Sequence, residues 1–146
     1  MGLHILKKSV VIFGVLLGAA TGFAATRSVA VIAGDAFPVR SLSIDEVAKI
    51  YKGERLFLNG TRLTPLDNKD KALRSRFFQE AFGMSTDDFD VHWITRNFQD
   101  GLKIPEAVES DEVLDRIKDK GVLGFVDAED AKGKPGVHTL FTIETP

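Results

Sequence analysis

The chain has 146 residues, of which 44% are hydrophobic and 27% charged, and it contains no cysteine. At about 100–200 residues per domain, this length predicts one domain. The lack of cysteine excludes disulfide scaffolds and thiolate zinc sites. The formal net charge of −2 is too small, and of the wrong sign, to indicate a nucleic-acid-binding protein.

The N-terminus is typical of a secretory signal peptide. Lys7 and Lys8 precede an uncharged, largely apolar run from Ser9 to Phe23, and small residues close the run at Gly22 and Ala24. The alternative, a transmembrane anchor, needs roughly 20 apolar residues, and this run is interrupted by glycines and a threonine. We therefore expect cleavage after Ala24 and export to the periplasm or the medium.

Cleavage would divide the chain into a signal peptide, 1–24, and a mature domain, 25–146. The removed segment carries Lys7 and Lys8 and no acidic residue, so the net charge changes from −2 to −4. The mature sequence has no second long apolar run. We therefore predict an exported, mildly acidic protein that does not span a membrane.

The first elements of the mature sequence have clear local signals. A nearly continuous apolar run predicts a strand over 28–33 that is buried on both faces. Ser43 and Glu46 have the spacing of a capping box, and Gly53 follows as a C-terminal stop, so a helix is predicted over about 44–52.

The rest of the sequence continues this alternation of strands and helices. Asn59-Gly60 is the preferred two-residue turn of a hairpin and predicts one over 55–66. Further on, helices are predicted over 71–82, from 85 to about 98 and from 110 to 120, where Gly121 closes the last turn, and strands over 122–126 and 137–143. The alternation predicts a layered α/β domain.

One charged side chain in the helix over 71–82 needs an explanation. On the helical wheel, Arg74 lies in the middle of an apolar face formed by Leu73, Phe77, Phe78, Ala81 and Phe82. A guanidinium there is costly unless it is paired or reaches solvent. In one interpretation, Arg74 snorkels past the helix end or pairs with a structural carboxylate such as Asp67. In the other, Arg74 converges on an anion with Lys69 or Lys71 and the free N–H groups of the helix start.

Other chemical sites have little support in the sequence. His92 and His138 lack metal-ligand spacing, and no nucleophile–base pattern of a hydrolase occurs. Phe89 and Trp93 lie on one helix face, where core packing is the expected role, although Trp93 is also placed to line a pocket. Gly124 inside a strand indicates the close approach of a neighbouring helix. We therefore predict neither enzymatic activity nor a metal or cofactor.

Seven short motifs follow one another between about Val29 and Val126. They are Leu42-Ser-Ile-Asp-Glu-Val-Ala-Lys-Ile-Tyr-Lys-Gly53, Phe57-Leu-Asn-Gly60, Thr64-Pro-Leu-Asp67, Arg74-Ser-Arg-Phe-Phe78, His92-Trp93 with Phe98 and Gly101, Pro105, and Val122-Leu-Gly-Phe-Val126. In this order the motifs resemble the phosphate-binding (PstS-like) proteins of bacterial ABC importers. The resemblance implies a single lobe of a type 2 periplasmic-binding-protein-like fold, with a mixed sheet flanked by helices. It also implies a non-enzymatic protein linked to ABC-type phosphate transport, with phosphate or another oxyanion as ligand.

The resemblance further implies where the ligand binds. In the family, the loop and helix start after the strand that corresponds to Thr64–Asp67 contact phosphate. The anion-binding residues expected from this correspondence and from the helical wheel are Arg74, Lys71, Lys69, Ser75 and Asp67, with Arg74 as the principal fork. The family's Ser-Gly-Thr type stretch is replaced here by Lys69-Asp-Lys-Ala-Leu73, so its hydroxyl and glycine contacts are missing.

The mature chain has residues for little more than one lobe, whereas the family closes two lobes over its ligand. An open half-site leaves an anion in water, where each charged contact is worth less. We therefore expect binding that is weak or that depends on a partner, such as an ABC permease, another periplasmic protein or a second copy of the chain. The alternative is an exported protein-interaction module that keeps the fold without binding a ligand.

Overall fold

The computed structural model describes residues 28–144, and within them no helix has the length and apolar character needed to cross a membrane. The predicted signal peptide, 1–24, lies outside the described residues. Strands and helices alternate along much of the chain, which confirms the α/β class. In chain order the elements are β1 (Val29–Gly34), α1 (Ile44–Tyr51), β2 (Phe57–Leu58), β3 (Thr61–Arg62), β4 (Thr64–Pro65), β5 (Asp67–Asn68), α2 (Lys71–Phe82), α3 (Thr86–Asp100), β6 (Ala107–Val108), α4 (Ser110–Arg116), β7 (Val122–Asp127), α5 (Ala128–Ala131) and β8 (Val137–Ile143).

The central sheet has four strands in the order β4-β7-β1-β8. β1 pairs antiparallel with both β7 and β8, whereas β4 pairs parallel with β7, so the sheet is mixed, as predicted. Every residue of β1 is buried. The predicted doubly buried strand over 28–33 is therefore confirmed, with a shift of one residue.

The core lies on both faces of this sheet, because alternate side chains of a strand point to opposite sides. Val29, Val31 and Ala33 belong to one cluster with apolar side chains of α1, α2 and α3. Ala30 and Ile32 belong to a second cluster with side chains of α4 and α5. The molecule is thus a three-layer α/β/α arrangement, and the aromatic-rich layer is the one that carries α2 and α3.

The predicted hairpin over 55–66 forms only in its first part. β2 pairs with β3, and Asn59 (φ 49°) and Gly60 (φ 79°) both have the positive φ that a primed two-residue turn requires. Thr64 then leaves the hairpin, because its N–H donates to the Gly121 carbonyl at 2.8 Å and the chain joins the central sheet as β4. The second half of the predicted hairpin is therefore wrong.

The boundaries of α1 and α2 follow their local signals, whereas α4 ends at Arg116, before the predicted stop at Gly121. The Oγ of Ser43 accepts from the Glu46 N–H at 3.2 Å, and the Glu46 carboxylate accepts from the Ser43 N–H at 3.3 Å, so the predicted capping box is present. α2 begins and ends where the sequence predicts. α3 runs to Asp100, slightly farther than predicted, and ends at Gly101 with φ 67°.

Gly124 marks the place where α4 crosses β7. A Cβ at this position would lie 2.5 Å from Cγ1 of Val113. The close approach of a neighbouring helix is therefore confirmed, and the glycine is what allows α4 to pack directly against the sheet.

Candidate functional site

The sequence-predicted site at the start of α2 centres on a guanidinium held by two carboxylates. The Nε of Arg74 donates to both oxygens of Asp67, at 2.8 and 3.0 Å, and its Nη2 donates to Asp90 at 2.6 Å. The guanidinium carbon also lies 4.7 Å from the ring centre of Phe78 and 5.8 Å from that of Phe89. Of the two interpretations left open by the sequence, the pairing of Arg74 with Asp67 is the arrangement present.

The fold brings these three charges together from three elements. Asp67 is in β5, Arg74 is in the first turn of α2, and Asp90 is in the first half of α3. Burial raises the pKa of Asp67 above its usual 3.8, and the hydrogen bond from Arg74 opposes that rise. Burial lowers the pKa of Arg74, but its bonds to Asp90 and Asp67 more than offset this, so that pKa is raised.

The N-terminal turn of α2 is also capped from within the chain. Asp70 is the N-cap residue, and its carboxylate accepts from the Leu73 N–H at 3.1 Å. Three carboxylates therefore surround the helix start and its half-buried Arg74. An anion that approached the guanidinium would find Nε and Nη2 already bonded to carboxylates, and the three negative charges around them would repel it.

The other predicted ligand residues do not join this cluster. Lys71 and Ser75 are exposed, and neither side chain makes a hydrogen bond or ion pair with the residues in 28–144. Lys69 is also exposed. Its positive charge, like that of Lys103, contributes to lowering the pKa of the Glu106 carboxyl group. The structure thus brings Asp67 and Arg74 together, and it places Lys69 beside a second basic region.

That second region borders a cavity of about 110 Å³ next to Trp93, which we call the Trp93 cavity. The indole is fixed there because its Nε1 donates to the Tyr51 carbonyl at 2.8 Å. Gly53 (φ +75°) makes room for it, since a Cβ would lie 2.7 Å from Cη2 of the indole. The apolar part of the lining consists of Ile50, Leu56, Leu63, Pro65, Trp93, Leu102, Ile104 and Pro105.

Four cationic side chains and one acidic side chain also line the Trp93 cavity, which gives its rim a positive charge. The acidic one is Glu106, which accepts from Nη1 of Arg116 at 2.7 Å. The pKa of Glu106 is lowered chiefly by this bond. The other cationic side chains are Arg55, Arg62 and Lys103.

Two of these cations have no carboxylate within salt-bridge distance in the part of the chain that the structure describes. Arg62 lies over the ring of Phe57, with 5.4 Å from its guanidinium carbon to the ring centre, and Lys103 makes no ion pair there. Arg55, by contrast, is 3.8 Å from a carboxylate oxygen of Glu46. Arg62 and Lys103 are therefore the charges available to a ligand.

Sequence reasoning missed Arg62 and Lys103 because nothing local distinguishes them from ordinary surface residues. Arg62 lies in a hairpin and Lys103 in a loop, and only the tertiary fold brings both to one cavity. The available signal was Trp93, which the sequence already placed beside a possible pocket. Both roles expected of Trp93 are present, since the side chain is 3% exposed and also lines the cavity.

No group of three or more His, Cys, Asp or Glu side chains that could hold a metal ion occurs between residues 28 and 144. Comparisons of the chain with protein-family models, with curated proteins and with solved structures found no match.

Proposed function

We propose that the protein is an exported, non-enzymatic solute-binding protein, built like one lobe of a phosphate-binding protein, that holds a small oxyanion at the rim of the Trp93 cavity. One observation carries the proposal. Arg62 and Lys103 line a cavity that has both apolar and polar walls, and neither has a carboxylate partner among residues 28–144. Phosphate is the first ligand to test, because of the resemblance to phosphate-binding proteins.

The charge balance favours this rim over the start of α2. An anion at the rim would gain two cations without breaking an existing ion pair, and the apolar wall beside them reduces screening by water. Lys69, one of the predicted ligand residues, lies on the same side as Lys103, since both act on the pKa of Glu106. The rim is open to solvent, so we expect weak binding, which a partner such as an ABC permease would strengthen.

The site first expected from the sequence, with Arg74, Lys71, Lys69, Ser75 and Asp67, is the competing location for the same function. Arg74 is already paired there with Asp67 and Asp90, and an anion that displaced Asp67 would leave a carboxylate that is only 5% exposed without its partner. None of these five residues lines the Trp93 cavity. The two are therefore separable by mutation.

The test uses Trp93, the only tryptophan in the chain. The protein purified from the periplasm of an expressing host is titrated with inorganic phosphate and with sulfate while the tryptophan emission and the melting temperature are followed. We expect a saturable change in emission and a rise in melting temperature that grows with ligand excess. The double variant Arg62→Gln/Lys103→Gln should weaken binding about tenfold, because it removes two charged contacts of roughly 0.5–1 kcal/mol each.

The matched control is Lys132→Gln, which removes an exposed positive charge that does not line the cavity. It should bind the anions as the unmodified protein does. Loss of binding in Arg74→Gln, with binding retained in the rim double variant, would move the site to the start of α2. No response to either anion at tens of millimolar would contradict the solute-binding function.

A protein-interaction role is the second candidate, and a separate observation favours it: α3 exposes three large apolar side chains.

A further inference from the structure

α3 has an apolar face that no part of the described chain covers. Val91, Ile94 and Phe98 are 62%, 61% and 89% exposed, and their spacing of three and four residues puts them on one side of the helix. We call these three residues the α3 stripe. The opposite side of the helix carries Phe89 and Trp93, which are 2% and 3% exposed and pack in the core.

The helix cannot rotate to bury the α3 stripe, because polar bonds fix its other side to the end of α1. Besides the Trp93 bond to Tyr51, the Nε2 of His92 donates to the Lys52 carbonyl at 2.8 Å. The Nη2 of Arg96 donates to the Gly53 carbonyl at 2.6 Å. Single exposed apolar residues are normal in proteins, but three on one face of a rigid helix form a patch typical of an interaction surface.

The charges around the α3 stripe are acidic. Asp87 precedes Val91 by four residues and therefore lies on the same face, at the N-terminal end of the stripe. Neither Asp87 nor its neighbour Asp88 has a basic partner within residues 28–144. Asp100, near the other end of the helix, is 3.0 Å from Arg96.

This charge pattern argues against a second copy of the chain as the occupant. If two α3 helices packed parallel, Asp87 would face Asp87, which is unfavourable at the edge of an apolar contact. If they packed antiparallel about Ile94, Asp87 would lie opposite the end of the other stripe at Phe98, where α3 has no Lys or Arg on the same face. Neither arrangement supplies the positive charge that Asp87 and Asp88 lack.

We propose that the α3 stripe docks an amphipathic helix of another protein, one that presents apolar side chains flanked by Lys or Arg. The apolar residues would cover Val91, Ile94 and Phe98, and a basic residue would pair with Asp87. Packing of side-chain ridges into grooves is how two such helix faces bury their apolar area. This surface is distinct from the Trp93 cavity, so the inference does not depend on the anion site.

A model ligand tests the surface directly. A dye-labelled amphipathic peptide of Leu and Lys is titrated with the protein at about 150 mM salt and followed by fluorescence anisotropy; the same pattern in Leu and Glu serves as the second probe. We expect the Leu/Lys peptide to bind at least tenfold more tightly than the Leu/Glu peptide. The triple variant Val91→Ser/Ile94→Ser/Phe98→Ser should raise its Kd at least tenfold, and Asp87→Asn should raise it two- to threefold.

The control variant is Phe57→Ser, which removes a side chain that is 52% exposed and lies outside the stripe. It should leave the Kd unchanged, and circular dichroism should show the same helix content in all variants. Equal binding of the Leu/Lys peptide to the triple variant and to the unmodified protein would overturn the proposal. So would a stripe-dependent dimer in sedimentation experiments, because it would show that a second copy covers this face.

Discussion

Arg74 shows how a single buried charge is accommodated in this protein. Its side chain is 18% exposed and that of its partner Asp67 is 5% exposed, which makes theirs the most buried ion pair among the described residues. The rings of Phe78 and Phe89 add cation–π contact to the guanidinium. The arginine therefore belongs to the structural core as much as to the surface.

Removing this arginine should destabilise the fold because it leaves Asp67 buried without its partner. We expect Arg74→Leu to lower the free energy of unfolding by about 3 kcal/mol, as measured by urea denaturation. The double variant Asp67→Asn/Arg74→Leu should recover a large part of that loss, because it removes the unpaired charge. If the double variant is no more stable than Arg74→Leu alone, the ion pair is not the reason for the loss.

Asp67 should also give the stability a distinctive pH dependence. Because burial raises its pKa in the folded state, the folded protein holds this proton more tightly than the unfolded chain does. The resulting stabilisation is fully present below 3.8, the usual value, and is lost as the pH rises through the raised pKa. The stability of the unmodified protein relative to Asp67→Asn should therefore fall as the pH rises above 3.8 and through the raised pKa of Asp67.

The measurement is urea denaturation of both proteins at several pH values, so that the other titrating groups cancel in the difference. A difference that grew with pH would mean that Arg74 stabilises the ionised carboxylate more than burial penalises it.

At the scale of single residues, the sequence predicts only those contacts that a local pattern of residues indicates. The position of Arg74 on the wheel shows that it needs a partner, and Asp67 is close enough along the chain to be named. Asp90 is on another helix, and the positions of Arg62 and Lys103 depend on how a hairpin and a loop are packed. The site was therefore only partly predictable.

At the scale of elements, prediction works where start and stop signals are local. α1, α2 and β8 have the predicted bounds to within a residue, because capping residues, glycines and side-chain periodicity mark them. β4 and β5 were missed as separate strands. Each has two residues, and their partners, β7 and β6, lie about 40 to 60 residues farther along the chain. No local pattern can specify such a pairing.

The contact between α4 and β7 gives a test at this scale. Gly124→Ala places a Cβ against Val113, whose branched side chain has little freedom to move. We expect a loss of about 1–3 kcal/mol in the free energy of unfolding from overpacking, measured by urea denaturation. In Gly124→Ala/Val113→Ala the combined loss should be smaller than the sum of the two single losses. Strict additivity would show that the added methyl group is accommodated elsewhere.

At the scale of the whole molecule, the class and the layering follow from the alternation of strands and helices, and the mixed sheet is as expected. The surfaces were harder to predict, because they combine residues from distant parts of the chain. α3 contributes to both of them: Trp93 lines the cavity on one side of the helix, and the α3 stripe faces outward on the other. Variants on the two sides of α3 can therefore be used to compare the two surfaces.

The position of β1 in the middle of the sheet has a consequence for how the protein forms. Its residues pair with β7 and β8, which lie at 122–127 and 137–143. As the chain leaves the ribosome, its first strand has neither neighbour until most of the sequence has been made, and it gains the second only near the end. Contacts between such distant segments are slow to form. The central sheet therefore cannot be completed before β8, near the end of the chain, has been made.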